Sequence, residues 1–222
     1  MTLYPSTCRS IDALIGGGIP TGVVSHVYGE PGSGKTSLCI QLATNVIKRE
    51  KRVIYIAAGP FPGERFAQIA AADTVPISQK LLVFEVKSFD QQRATLGDIR
   101  KIAKENVGLI IFDTATAYYR LEQARNAESG SQHAFANQVL LLLGLAKKYD
   151  LAVVLTNQVY VDTDTKEVMP VAGYLLDNLS AIVLQFTKTH SERRCAILKK
   201  HPILPLETSA YFKLTGQGLS DA

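Results

Sequence analysis

A glycine-rich segment of eight residues constrains the fold of this chain more than any other part of the sequence. Residues 29–36 read Gly-Glu-Pro-Gly-Ser-Gly-Lys-Thr and match every fixed position of the phosphate-binding pattern G-x-x-x-x-G-K-[ST]. The β-rich run at 23–28 before it predicts a strand, and the apolar spacing over 36–50 after it predicts a helix. Strand, glycine loop and helix together are the arrangement in which this motif binds nucleotide phosphates.

The residue types in this segment indicate a site for a nucleoside triphosphate with Mg²⁺. The backbone N–H groups of the loop would surround a phosphate, and the positive end of the helix dipole would strengthen its binding. The Lys35 ammonium would reach the β- and γ-phosphates, and the Thr36 hydroxyl would bind Mg²⁺. The alternative is a glycine-rich turn without a ligand. The candidate nucleotide-binding residues are Gly29, Glu30, Pro31, Gly32, Ser33, Gly34, Lys35, Thr36 and Ser37.

Two further segments place polar residues at the predicted ends of buried strands. Residues 109–112 are apolar and lead into Asp113, and in a phosphate-loop protein such a carboxylate holds Mg²⁺, directly or through water. Residues 151–158 have a similar form but end in Gln158, whose amide could bind a γ-phosphate or position a water. A solvated Asp and a loop-capping Gln are the alternatives. The candidate catalytic residues are Lys35, Thr36, Asp113 and Gln158, with Thr36 and Asp113 as metal ligands.

The composition is that of an ordinary globular protein with a mild positive charge. Of the 222 residues, 46% are hydrophobic and 20% are charged, and the net charge of +4 permits an anionic partner without requiring one. Cys8, Cys39 and Cys195 are far apart, which argues against a zinc motif or disulfides and favours a reducing cytoplasm. Glycines at 16–18 interrupt the first apolar stretch, and no apolar run could span a bilayer. We therefore expect a cytoplasmic protein without a signal peptide or membrane contact.

Strand-like and helix-like segments alternate over most of the chain. Several of the strand-like runs are apolar throughout, as expected for strands that are buried on both faces of a parallel sheet. The alternation predicts a doubly wound α/β sheet. The predicted strands are residues 53–56, 81–86, 109–112 and 151–156, and the predicted helices are 64–72, 89–106 and 131–149.

The pattern changes after Gln158. Residues 159–173 are polar without a period and predict a long loop. The runs at 180–186, 193–199 and 209–214 predict strands without intervening helices, which indicates an antiparallel extension of the sheet. The tail from residue 216 onward is expected to fray.

The motifs follow one another in a characteristic order. A lead-in at 6–19 precedes the phosphate loop, Asp113 is followed by Tyr118-Tyr119-Arg120, and Gln158 is followed by the polar segment and a closing run at 210–219. This order resembles the RecA-like recombinase family over nearly the whole chain, and within that family the archaeal RadB subfamily. The resemblance implies an α/β fold, a RecA-like P-loop NTPase core with a mostly parallel twisted sheet flanked by helices and a C-terminal antiparallel strand extension.

The resemblance also implies ATP and Mg²⁺ as cofactors and two DNA-facing loops beside the nucleotide. One loop follows Asp113, and the other spans 159–173 after the γ-phosphate-sensing Gln158. Residues 1–222 would form one ATPase core, without the N-terminal helical domain and the docking linker of longer members, so a homo-oligomer would need another contact. Packing beneath a loop is the alternative for the tyrosines, and a solvated hairpin tip for the late arginines. The candidate DNA contacts are Tyr118, Tyr119, Arg120, Lys166, Arg193 and Arg194.

One departure from the family concerns catalysis. In similar proteins the strand after the first helix ends in Asp-Thr-Glu, and the Glu activates the attacking water, whereas this chain has Ala57-Ala58-Gly59. Loss of a general base typically lowers a rate by about 10²- to 10⁴-fold. Glu64, Glu85 and Glu30 are carboxylates that could substitute. We therefore expect weak hydrolysis at most, with the nucleotide acting as a conformational ligand.

Three functions compete at this point. The first is an ATP-binding DNA repair and homologous recombination protein that binds single-stranded DNA through backbone charge and base stacking. The second is a regulatory recombinase paralogue that acts through recombinase or repair partners without DNA chemistry of its own. The third is a clock-type ATPase or a small-molecule phosphotransferase, which the absence of an Arg-rich lid and of acids after Ile56 argues against.

Overall fold

The computed structural model describes residues 1–125, 130–162, 168–189 and 192–222. In chain order, its strands are β1 (Leu3–Tyr4), β2 (Ile19–Pro20), β3 (Val24–Gly29), β4 (Arg52–Ala58), β5 (Leu81–Val86), β6 (Val107–Asp113), β7 (Ala152–Asn157), β8 (Val159–Val161), β9 (Val168–Pro170), β10 (Ile182–Lys188), β11 (Arg193–Lys200), β12 (Ser209–Thr215) and β13 (Gly218–Asp221). The helices are α1 (Arg9–Leu14), α2 (Lys35–Lys48), α3 (Gly63–Ala70), α4 (Thr74–Ser78), α5 (Phe89–Ile102), α6 (Ala117–Arg125), α7 (Gly130–Tyr149) and α8 (Gly173–Leu179), with a 3-10 turn at Ala71–Asp73.

A nine-stranded mixed sheet lies at the centre, in the order β13-β12-β11-β10-β3-β7-β6-β4-β5. The strands from β10 to β5 run parallel, and β11, β12 and β13 continue the sheet antiparallel from β10. This confirms the predicted α/β fold with a C-terminal antiparallel extension. Ser88 caps α5, since its Oγ accepts a hydrogen bond from the Gln91 amide at 3.1 Å.

Alternating side chains of the central strands feed two separate cores. Val53 and Tyr55 of β4 pack on one face of the sheet with α1 to α4, and Ile54 and Ile56 pack on the other face with α5 to α8. Burial on both faces explains why the central strands read as continuous apolar runs. Because the central strands are parallel, their carboxyl ends meet at one edge of the sheet, where open α/β folds bind ligands.

Three local predictions were wrong. The segment 159–173 is not a structureless loop, because β8 and β9 pair antiparallel with Val159 opposite Pro170. The helix predicted over 89–106 ends at Ile102, where Ala103 adopts extended backbone. The tail does not fray: β13 pairs with β12, and the buried Gln41 amide bonds both the N–H and the carbonyl of Leu219. The β8–β9 and β12–β13 pairings and the contact of Gln41 with Leu219 join different segments of the chain, which local periodicity does not report.

Candidate functional site

The phosphate loop joins β3 to α2 at the carboxyl edge of the sheet. At Gly29 a Cβ atom would lie 2.0 Å from the Phe186 carbonyl oxygen of β10, so a side chain cannot be accommodated there. Gly34 has φ +110°, and a Cβ there would lie 3.0 Å from Leu214. The N–H groups of the first turn of α2 have no intrahelical acceptor and are available to an anion.

Lys35 lies buried at the start of α2. Its Nζ donates to the carbonyl oxygens of Gly29 at 2.7 Å and Glu30 at 3.0 Å. Burial lowers the pKa of the Lys35 ammonium from its ordinary value, and the nearby Asp113 carboxylate opposes that shift. The loop carbonyls therefore hold a desolvated cation at the position where the motif requires one.

Asp113 ends β6 and accepts three hydrogen bonds from hydroxyl groups. The Thr36 hydroxyl donates to Oδ2 at 2.8 Å, the Tyr55 hydroxyl donates to Oδ2 at 2.7 Å, and the Thr156 hydroxyl donates to Oδ1 at 2.5 Å. Burial raises the pKa of the Tyr55 phenol well above its ordinary value, with the Asp113 charge adding to the effect. Tyr55 therefore remains a hydrogen-bond donor, and three different elements fix the carboxylate in place.

The oxygen atoms of Thr36 and Asp113 suit Mg²⁺, which is held through one or two carboxylates together with substrate phosphates. The residues fit this role, because the threonine hydroxyl contacts the carboxylate directly, and the buried Ser33 hydroxyl of the same loop has no hydrogen-bond partner among the described residues. Within the described ranges, no group of three or more His, Cys, Asp or Glu side chains could hold a metal ion. A bound Mg²⁺ would therefore depend on the phosphate oxygens of a nucleotide.

Gln158 lines the same cleft as the phosphate loop. The cleft has a volume of about 280 Å³, and Thr114, Gln158 and Leu214 complete the walls around the loop residues. Gln158 is exposed and lies between β7 and β8, so it joins the nucleotide edge directly to the second loop. The structure thus brings together all four residues predicted as catalytic.

The carboxyl end of β4 carries no acid. Ala57 lies between Glu85 of β5 and Asp113 of β6 in the register of the sheet. Apart from Asp113, Glu85 is the acidic residue opposite Ala57 on a neighbouring strand, but its Oε1 accepts the Phe61 amide at 2.8 Å and so holds the turn after β4. Glu64 is exposed in the first turn of α3. Weak hydrolysis for lack of a catalytic base therefore remains a prediction.

The hairpin between β10 and β11 contacts the outer side of the phosphate loop. Arg194 donates from Nε to the Gly32 carbonyl at 3.2 Å. The Lys188 amide donates to Glu30 at 2.9 Å, and the Lys188 ammonium lies 3.8 Å from the same carboxylate. Arg194 and Glu30 therefore help to hold the hairpin and the loop together, which the sequence did not predict for Arg194. Arg193 is exposed at the start of β11.

The candidate DNA contacts after Asp113 differ in exposure. Tyr119 is 2% exposed, and its ring stacks on Phe135 with the centroids 4.6 Å apart. The prediction that Tyr119 stacks on a base is therefore wrong, because the ring is part of the core. Tyr118 is half-buried, and Arg120 is exposed on α6.

The second loop presents apolar side chains where it is described. Tyr160, Val161, Val168 and Met169 on the β8–β9 ribbon are 41%, 60%, 46% and 40% exposed. Lys166, predicted as a DNA contact, lies outside the described residues. The ribbon starts one residue after Gln158, so it lies next to the nucleotide cleft in the chain.

Several site residues were missed at the sequence level. Tyr55 and Thr156 bond Asp113, and Arg65 reaches from α3 to the Ser37 hydroxyl at 3.1 Å. No motif marks them. The contacts of Tyr55 and Thr156 follow from the order of the strands, in which β6 lies between β4 and β7.

In the described parts of the chain, no helix has the length and apolar character needed to cross a bilayer.

Comparison with known proteins agrees with this geometry. A family model described as Rad51 matches residues 3–222. The DNA repair and recombination protein RadB of Methanococcoides burtonii is 39% identical over 215 residues, which cover 96% of each chain. The protein of the same name from Methanoculleus marisnigri is 36% identical over 213 residues, or 95% of this chain and 94% of the relative.

A solved structure described as that of the RadB recombinase is similar to the whole fold. Its TM-score is 0.87 at 32% sequence identity, and the match covers 99% of this chain and 100% of that one. The RecA-like resemblance drawn from the motif order is therefore confirmed. By sequence and by structure, this chain belongs to the Rad51 family and is a RadB-like member of it.

Proposed function

We propose that this chain is a DNA repair and recombination protein that binds ATP with Mg²⁺ and uses the nucleotide to set the conformation of its DNA-facing loops. The observation that carries the proposal is the shared cleft of Lys35, Thr36 and Gln158, with Asp113 hydrogen-bonded to Thr36. A γ-phosphate held there would contact the residue from which the second loop departs. Switch loops in other nucleotide-binding proteins are ordered in this way.

Each residue of the cleft has a distinct part in nucleotide binding. Lys35 would exchange its loop carbonyls for the β- and γ-phosphates, and the N–H groups of the first turn of α2 would bind phosphate oxygens. Thr36 and Asp113 would hold Mg²⁺, which would neutralise phosphate charge. Tyr55 and Thr156 keep Asp113 oriented toward Thr36.

Hydrolysis would be feeble. The end of β4 offers Ala57, Ala58 and Gly59 where a base is expected, and Glu85 is bonded to the Phe61 amide. The bound nucleotide then acts mainly as a conformational ligand, and its γ-phosphate persists long enough to maintain the loop state.

Single-stranded DNA would lie across the first loop and the β8–β9 ribbon. Arg120 is exposed for phosphate contact, and the exposed Tyr160 offers an aromatic face for base stacking. The other exposed side chains of the ribbon, Val161, Val168 and Met169, add no charge. Binding should therefore depend more on stacking and burial than on charge, with moderate affinity.

The same apolar ribbon favours a second candidate, a regulatory paralogue that binds a recombinase or another repair protein. Exposed apolar side chains are more typical of a protein interface than of a DNA surface. The phosphotransferase and clock-type alternatives lose their support, because the chain belongs to the Rad51 family.

Two further features of the chain are part of this proposal. We treat residues 1–222 as one RecA-like ATPase core, since nine strands, β3 to β7 and β10 to β13, share one sheet. A cytoplasmic location is supported by Cys8, Cys39 and Cys195, which are all free and buried.

The test is fluorescence anisotropy of a labelled single-stranded oligonucleotide at one fixed, moderate salt concentration. The protein is titrated with ATP and Mg²⁺, with ADP and Mg²⁺, and without nucleotide. DNA binding that requires ATP, disappears in Lys35→Ala and weakens in Arg120→Ala would support the first candidate. No DNA binding in any state, together with normal ATP binding, would contradict it and favour the regulatory paralogue.

A further inference from the structure

A buried amide connects the nucleotide edge to both loops. Asn157 ends β7 and is 0% exposed. Its Oδ1 accepts a hydrogen bond from the Thr116 hydroxyl at 2.5 Å, and its Nδ2 donates to the Val171 carbonyl at 2.6 Å. Thr116 precedes α6 in the first loop, and Val171 follows β9 in the second. One side chain therefore bridges the two segments.

Backbone hydrogen bonds on either side of Asn157 reinforce this bridge. The Ala115 amide donates to the Thr156 carbonyl at 3.0 Å, and the Val171 amide donates to the Gln158 carbonyl at 3.1 Å. A shift of Gln158 in the cleft would therefore act on Val171 through two bonds, one from the backbone and one from the Asn157 amide.

His26 is the third partner of Asn157. It lies on β3 three residues before Gly29, is 0% exposed, and its Nε2 is 3.2 Å from Asn157 Nδ2. An amide nitrogen only donates, so Nε2 accepts and the imidazole proton is assigned to Nδ1. That atom faces Asp177 Oδ1 of α8 at 3.4 Å, which is longer than a well-formed hydrogen bond. The firm contact of the imidazole is thus with Asn157.

We propose that His26 is a positioning residue that keeps the Asn157 amide oriented, and thereby passes the nucleotide-bound state of the cleft from Gln158 to the second loop at Val171. With His26 in place, both protons of the Asn157 amide have acceptors, and the group has one orientation. Without an acceptor at position 26, one proton of the buried Asn157 amide lacks a hydrogen bond. This cost favours rotation of the amide, which would break its hydrogen bond to the Val171 carbonyl. The inference rests on the proposed function, because it requires nucleotide binding in the cleft.

The test is hydrogen exchange of the backbone amides of Val168, Met169 and Val171, measured with and without Mg-ATP. In the wild-type protein, Mg-ATP should slow exchange at Val171 by about 5-fold or more, since one additional firm hydrogen bond corresponds to that factor. His26→Leu should lose this nucleotide-dependent change. His26→Gln, whose side-chain carbonyl can accept from Asn157, should retain it. Binding of Mg-ATP, followed by isothermal titration calorimetry, should change less than about 3-fold in both variants.

A second variant keeps the test decisive if His26→Leu does not fold. Thr116→Val is nearly isosteric and removes the donor on the other side of the Asn157 amide, so it should also reduce the nucleotide-dependent protection of Val171. Wild-type protection in His26→Leu or in Thr116→Val would overturn the inference. So would Mg-ATP binding in the wild-type protein without any change at 168–171, while nucleotide binding itself would stand. A wild-type protein that does not bind Mg-ATP would overturn the proposed function and this inference together.

Discussion

The ends of β3 and β6 differ sharply from the end of β4, although all three lie at the same edge of the sheet. The first two provide Lys35, Thr36 and a carboxylate that three hydroxyls hold in place. The third provides Ala57, Ala58 and Gly59. The proposed nucleotide site therefore has the residues expected for binding, while the end of β4, where a general base is expected, carries no acidic side chain.

If the proposed function holds, this difference would make nucleotide binding and hydrolysis separable within one site. In the proposed function, binding depends on the backbone of the loop, on Lys35 and on Thr36 and Asp113, which lie on the segment from β3 to α2 and on β6. Hydrolysis would in addition need a base from β4. A protein with the first set alone can use ATP as a ligand that favours one conformation, because differential affinity for two states is all that such a shift requires.

The largest expected effect is on Mg-ATP binding by the residues that follow β3. Lys35→Ala removes a buried cation that would bind the β- and γ-phosphates, so Mg-ATP affinity should fall roughly 10- to 150-fold. Isothermal titration calorimetry measures this directly. Lys188→Ala is the matched control, since that ammonium is half-exposed near the same loop and pairs only loosely with Glu30. Equal losses in the two variants would contradict the role given to Lys35.

The next largest effect is expected on ATP turnover, through the end of β4. Gly59→Glu supplies a carboxylate where the family has one, and turnover should rise by about 10-fold or more over the wild-type protein. A Cβ at Gly59 meets nothing within 4 Å, but its φ of +107° strains any other residue. Gly59→Ala carries the same strain without the acid, so the comparison of the two variants isolates the base. If both variants turn over ATP at the same rate, the end of β4 is not the missing element.

A smaller effect is expected at the metal ligand. Asp113→Asn keeps the shape of the side chain but removes its charge, so the affinity for ATP in the presence of Mg²⁺ should fall about 10-fold. The affinity measured with EDTA should change little, because the phosphate loop itself is unaltered. Competition with a fluorescent nucleotide under both conditions provides the measurement. An unchanged Mg²⁺ dependence would show that Asp113 does not hold the metal.

The smallest effect is expected on the pH dependence of the free energy of unfolding, through His26. Burial lowers the pKa of His26 below its ordinary value of 6.5, and Asp177, the charged group that faces it from α8, opposes the shift. The unfolded chain therefore takes up a proton on His26 at a higher pH than the folded protein does. Its contribution to the free energy of unfolding is complete above pH 6.5 and is lost as the pH falls toward the lowered pKa.

The measurement is urea unfolding of wild-type protein and His26→Gln between pH 8 and pH 5. The wild-type protein should lose stability more steeply on acidification, since the other titrating groups are shared and cancel in the difference. Parallel curves would mean that the imidazole is not held in its neutral form.

The sequence predicted the parts of the site that lie in contiguous motifs. The phosphate loop and Asp113 were found because fixed residue types follow one another at fixed spacing. The roles of Tyr55 and Thr156 were not found, because they depend on β6 lying between β4 and β7. Arg194 was predicted for DNA and lies against Gly32, since only the path of the β10–β11 hairpin brings it there.

Side-chain packing and strand pairing determine features that local sequence patterns do not predict. Two adjacent tyrosines look alike in sequence, and only the stack of Tyr119 on Phe135 shows which of them is part of the core. The β8–β9 ribbon and β13 were missed because strands of three or four residues carry little periodicity of their own.

The most direct test of the central claim measures binding and turnover of Mg-ATP on the same sample, with saturating single-stranded oligonucleotide present. The account predicts saturable binding with turnover of about 0.1 to 0.001 per second, which is a typical enzyme rate of about 10 per second reduced by the loss of a base. Turnover of tens per second that disappears in Lys35→Ala would contradict it, because a base other than the missing one would then be at work.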